Sequence, residues 1–236
     1  MSIIKEQTVA EVVSENMGAD HVFSKYKIDF CCGGGDTIEI ACKNAEVDLE
    51  KLILEIKNIN AQISGKVNVN DLDIPTLINQ VKENYHTKIS DLIFEVLPYA
   101  AKVAEVHGVE HNEVIEINQL VKDVNTVISE TFTNSIMSLY PIINEIIETV
   151  EKNEEVSIET LQAFQKAIKR NEIAQKLIGD SFKEISNLSS EYQVPESACS
   201  SYSYLYKNLN QLQHEVHKYM HFEKNVLIPK ALNTIK

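Results

Sequence analysis

Residues 31–35 read Cys-Cys-Gly-Gly-Gly, and three of the chain's four cysteines fall between positions 31 and 42. The chemistry this offers is that of the thiolate, the form in which cysteine acts as nucleophile and metal ligand. Glycines let backbone N–H groups converge, and Asp36 followed by Thr37, Ile38 and Glu39 predicts an N-cap and capping box, so the loop feeds the start of a helix. Converging N–H groups and the helix dipole both stabilise a nearby thiolate, which makes Cys31 and Cys32 the candidate reactive residues. A disulfide between them is disfavoured, because neighbouring Cα atoms lie about 3.8 Å apart, below the usual range of roughly 4.4 to 6.8 Å. The plainer alternative is a tight turn in which cysteine serves as a small hydrophobe. Cys42 and Cys199 lack this context and read as buried packing residues.

Histidines supply the second candidate chemistry. His214, His217 and His221 share one stripe of a helix whose other face carries Leu205, Leu209, Leu212, Val216, Met220, Val226 and Leu227. That stripe reads as a solvated face, with an exposed metal site as the alternative. His107 and His111 are i, i+4 neighbours around Gly108 at a helix end, and read as structural or as a loop cap.

These residues must be positioned by helices, since apolar residues recur at three- and four-residue spacing almost everywhere. Short helices are expected over 8–16, 19–26, 37–45 and 48–63. Long ones are expected over 75–107, 112–151, 157–190 and 196–232, with short connections that suit antiparallel neighbours. Gly65 and Pro75 mark a linker, giving a small N-terminal helical domain at 1–64 and a four-helix bundle at 75–236. A weak internal repeat ends two amphipathic runs in Leu139-Tyr140-Pro141 and Leu227-Ile228-Pro229.

Charge narrows the partners. Lys plus Arg number 22 against 35 for Asp plus Glu, a formal net charge of −13 with no clustered basic stretch, which argues against nucleic acid and anionic membrane. No apolar run approaches the roughly 20 residues needed to span a bilayer, and the acidic start does not suit a signal peptide, so the expected location is the cytoplasm, with a homodimer an open option. Adjacent thiols in that reducing compartment suit redox or metal chemistry.

The stretch from Val9 to Ile56, with its DFCCGG loop and the later cysteine on the following helix, resembles the amino-terminal domain of the repair-of-iron-centres family, also called the ScdA/YtfE type. The segments at residues 101–114 and 222–232 are similar to parts of the hemerythrin-like bundle that follows in that family. The resemblance implies an all-α chain: a small helical domain, then a hemerythrin-like antiparallel four-helix bundle. It also implies a di-iron protein that acts in recovery of iron–sulfur clusters after nitric oxide or peroxide damage, with iron–sulfur proteins as partners.

Carried over residue by residue, the family's metal positions fall on His86, on Thr131 and Ser135 counted back from Pro141, on Asn171, and on Tyr219 and Glu223 counted back from Pro229. Only His86 and Glu223 keep ligand chemistry, so the implied di-iron cofactor is absent or partial. The substituted positions still point inward by helical periodicity. A buried Glu223 without metal should be protonated, paired with His86, or hydrogen-bonded to Tyr219, Thr131 or Asn171. Three functions follow: a cluster-repair protein with a degenerate di-iron site, a thiol-based protein responding to nitric oxide, iron or redox state through Cys31 and Cys32, or a non-catalytic interaction or dimerisation module.

Overall fold

The computed structural model describes residues 5–16, 18–31, 34–62, 69–196 and 198–235, and these fold almost entirely as helix. Two compact units divide the chain, one formed by residues up to Asn79 together with His217–Thr234, the other by Gln80–Val216.

The first unit holds α1 (Val9–Glu15), α2 (Ala19–Lys25), α3 (Ile38–Asn44), α4 (Leu49–Gln62) and α5 (Ile74–Gln80), together with α11 (Ile228–Thr234). Thr8 caps α1: its hydroxyl accepts from Glu11 N–H while the Glu11 carboxylate accepts from Thr8 N–H, a full capping box. Thr37 caps α3 by accepting from Ile40 N–H. The cap is therefore one residue later than the expected Asp36, because Thr37 is the residue with extended backbone before the first helical turn. The two helix starts are fastened together through an isolated antiparallel bridge between Thr8 and Thr37, with Val9 N–H on Asp36 O, Ala10 N–H on Gly34 O and Ile38 N–H on Gln7 O. Val9, Val13, Phe23, Ile38, Leu52, Ile56 and Leu77 form the buried interior. The expected linker falls partly on residues 63–68, outside the described residues; a short 3-10 turn at Val69–Asp71 then leads into α5.

The second unit is a bundle of α6 (Thr87–His107), α7 (Glu113–Asn134) continued by α8 (Tyr140–Glu151), α9 (Ile158–Leu188) and α10 (Ser200–Phe222) as far as Val216. α7 packs on both α6 and α9. α10 runs antiparallel to α6, as Lys88 meets Glu215 at 2.6 Å and the Tyr204 hydroxyl donates to Glu95 at 2.6 Å. Ser157 caps α9 through Thr160 N–H. Gly108 ends α6 where a Cβ would sit 2.4 Å from Ala104 O and 2.9 Å from Ile115 Cγ1, so only glycine lets α7 approach that closely.

Three of the long helical runs are interrupted by a π turn, at Val81–His86, Ser135–Leu139 and Glu223–Leu227. In each an N–H reaches back five residues: Thr87 to Lys82 O, Tyr140 to Ser135 O and Ile228 to Glu223 O. The last two stand directly before Tyr140-Pro141 and Ile228-Pro229, so the weak repeat of the sequence is a repeated backbone feature. A proline has no N–H for the carbonyl four residues earlier and crowds it, which favours widening the helix by one residue.

Candidate functional site

Two sets of residues carry the expected chemistry, and the first is the cysteine loop. Cys31 is buried, 4% exposed, and both its N–H (2.9 Å) and its Sγ (3.3 Å) donate to Asp29 Oδ1. Cys32 lies outside the described residues, as does Gly33. Gly34 explains part of the glycine run, since a Cβ there would stand 2.7 Å from Phe30 O and 3.0 Å from the Ala10 Cβ. Gly35 has open space in the same test, so the close approach is made at Gly34 alone of the two.

The loop is held by a residue that periodicity placed in solvent. His221 is fully buried: Nδ1 donates to Phe30 O at 3.0 Å, Ser14 Oγ lies 3.3 Å from Nε2, and the Phe30 ring tilts against the imidazole at 5.9 Å. Burial pushes its pKa down, opposed by the Phe30 carbonyl and by Asp20. His217 is half-buried with its ring edge-on to Phe30. The solvated-stripe expectation is thus corrected for these two histidines. A helical wheel shows which residues share a face but not what packs there, and here the covering element is the turn that precedes Cys31.

The second set is the positions onto which the resemblance carries the family's metal ligands. In the bundle unit His86, Thr131, Ser135 and Asn171 are all buried. Thr131 Oγ1 donates to Val127 O at 2.6 Å. Asn171 Nδ2 donates to Ser135 Oγ at 2.9 Å, and Asn171 Oδ1 accepts from Asn134 Nδ2 at 2.8 Å; Arg170 then donates to Asn134 Oδ1. The His86 ring stacks on Phe132 at 3.8 Å, and burial, aided by the nearby Lys82 charge, pushes its pKa down to about 4. A cleft of about 470 Å³ opens beside it, lined by Lys82, Asp91, Phe132 and Ile136 among others. In the N-terminal unit the Tyr219 hydroxyl donates to Glu223 Oε2 at 3.1 Å, both residues being buried.

This donor chemistry does not fit a di-iron pair. Such centres in helical bundles use inward carboxylates and imidazoles from every helix, the anionic oxygens bridging and neutralising the metals. By residue type the six positions offer one imidazole and one carboxylate, and the hydroxyl and amide that replace the others are turned to backbone and side-chain partners. His86, Ser135 and Glu223 each stand at the end or start of a π turn, a distortion that recurs at functional sites.

Cys199, expected as buried packing, is exposed at the start of α10 with His107 Nε2 3.1 Å from its Sγ. Only Cys42 of the two matches that expectation. Sequence spacing gave no signal for the pair, since 92 residues separate the partners.

An all-helical chain with a capped cysteine-loop unit and a helical bundle, and with a π turn directly before each of Tyr140-Pro141 and Ile228-Pro229, defines the class. The family described as ScdA_N, a domain of unknown function (DUF542), matches residues 5–60. The chain is 31% identical over 234 residues to a protein of Staphylococcus haemolyticus named iron-sulfur cluster repair protein ScdA, covering 97% of this chain and 99% of that one. It is 26% identical over 231 residues to the ScdA of Staphylococcus epidermidis, with 97% and 99% covered. Identity to the iron-sulfur cluster repair protein YtfE of Yersinia pseudotuberculosis is 22% over 220 residues, 91% of each chain. The chain belongs to the ScdA/YtfE-type, repair-of-iron-centres family.

Proposed function

We propose that this chain is an iron–sulfur cluster repair protein acting after nitrosative or oxidative damage, built on a bundle whose own di-iron site has degenerated. The observation that carries the second half is that Thr131, Ser135, Asn171 and Tyr219 stand where the family resemblance implies metal-binding types, with only His86 and Glu223 keeping ligand chemistry. The repair role rests on likeness to the ScdA and YtfE proteins along nearly the whole chain. Cys31 and Cys32 are the residues assigned to the chemistry, acting on iron or on a damaged cluster as substrate. Damaged iron–sulfur proteins of the cytoplasm are the partners.

The test has two arms. Iron is quantified in protein purified anaerobically from iron-replete cells; the expected result is fewer than two irons per chain, and two irons with oxo-bridge absorption would overturn the degenerate site. Separately, an iron–sulfur enzyme inactivated by nitric oxide is incubated with the chain, and recovery of activity that is lost with Cys31→Ser and Cys32→Ser supports the repair role. No recovery with the unaltered chain overturns it, whatever the iron content.

A further inference from the structure

Cys199 and His107 form a second thiol site that the repair role does not use. Cys199 is exposed immediately before the 23-residue helix α10, and the backbone N–H groups of Ser201 and Tyr202 face its sulfur. His107 closes α6, and its Nε2 lies 3.1 Å from that sulfur. The imidazole is held from behind: its ring meets the buried Tyr202 ring edge-on at 5.4 Å, and the Tyr202 hydroxyl shares a 3.1 Å hydrogen bond with that of Tyr206. Gly108, which admits no Cβ, sets the turn that leaves His107 in place. The other ionisable groups around Tyr202 are His111, edge-on to its ring at 5.7 Å, and Glu113, which accepts from His111 Nδ1 at 3.1 Å.

A thiol with a hydrogen-bonding imidazole and helix-start N–H groups on its sulfur is the arrangement that populates thiolate near neutral pH. Exposure gives small molecules access to that sulfur.

We propose that Cys199 and His107 are a solvent-facing thiol–imidazole pair that exchanges with low-molecular-weight disulfides, making Cys199 a reversible S-thiolation site. The proton of the pair moves to Nε2, and Sγ attacks one sulfur of R–S–S–R. The new Cys199 S–S–R bond forms as the old S–S bond breaks. Its electron pair leaves with RS⁻, which takes the imidazolium proton and departs as RSH. A second small thiol reverses the step, so no other oxidant or reductant enters.

The rate advantage follows from competing effects. The His107 hydrogen bond, then the Tyr202 N–H, lower the Cys199 pKa to about 7. Half the thiol is then ionised at pH 7, against about one part in a hundred for a thiol at the unshifted value of 9.0, roughly a 50-fold gain in the reactive thiolate. Nucleophilicity falls with pKa at a Brønsted slope of about 0.45, which removes roughly eight-fold. A net advantage of about six-fold remains.

The experiment uses the full chain and bis(2-hydroxyethyl) disulfide, a neutral probe insensitive to the acidic surface, with modification read by mass spectrometry on the peptide that carries Cys199. The expected result is about six-fold faster modification in the native chain than in the guanidinium-unfolded chain at pH 7, with a pH–rate curve that bends near pH 7. His107→Gln should move that bend up by a pH unit or more, which a purely structural role would not do. Identical pH profiles for native and unfolded Cys199 would overturn the proposal without need of any variant, and so would an unmoved bend in folded His107→Gln.

Discussion

The buried polar cluster around Ser135 and Asn171 should be a measurable source of stability, and Asn171 is where to measure it. Its amide makes two hydrogen bonds, a buried one to Ser135 Oγ at 2.9 Å and a half-buried one from Asn134 Nδ2 at 2.8 Å, and the residue is 1% exposed. Asn171→Ala removes both. Each neutral bond contributes about 1 kcal/mol net, and the one fully buried partner that loses its donor, Ser135, adds up to about 2 kcal/mol more, so the expected cost is about 2–4 kcal/mol. Because a chain of two units need not unfold in one step, the assay is native-state hydrogen exchange. Amides of α7 and α9 should lose about 2–4 kcal/mol of opening free energy, while those of α1 to α4 stay unchanged. Asn171→Leu keeps the volume without the polar pairing, and should cost nearly as much if hydrogen bonding is the source. A loss below about 0.5 kcal/mol in α7 and α9 for Asn171→Ala would refute the reasoning, and would make Asn171 a merely tolerated polar residue.

Other outcomes follow from the same geometry. His86 has a folded pKa of about 4 against about 6.5 unfolded, so between these values the unfolded chain binds the extra proton; the stability it confers is complete above pH 6.5 and falls by about 3 kcal/mol as pH drops to 4. His86→Gln should flatten that part of a plot of stability against pH. Gly34→Ala should destabilise the N-terminal unit by about 1–3 kcal/mol, because its Cβ meets backbone at Phe30 O, whereas Gly35→Ala should be near neutral in the same melts. Tyr219→Phe removes the donor to buried Glu223 and should cost about 1–3 kcal/mol; adding Glu223→Gln to that variant should recover part of the loss in a double-mutant cycle.

The sequence alone determined the helices and the places to look within them. Periodicity located every long helical run to within a few residues, since an amphipathic stripe is a local property of side-chain order. Counting back from Pro141 and Pro229, as the family resemblance implied, reached the buried positions Thr131, Ser135, Tyr219 and Glu223. Tertiary structure alone decided the rest. The π turn at Val81–His86 has no proline directly after it, so no residue in the sequence announces it. His221 was misread because burial depends on which distant segment covers a face, here the turn ending at Phe30. Cys199 acquires His107 only when two helix ends meet, a proximity created by folding and carried by no motif in either segment.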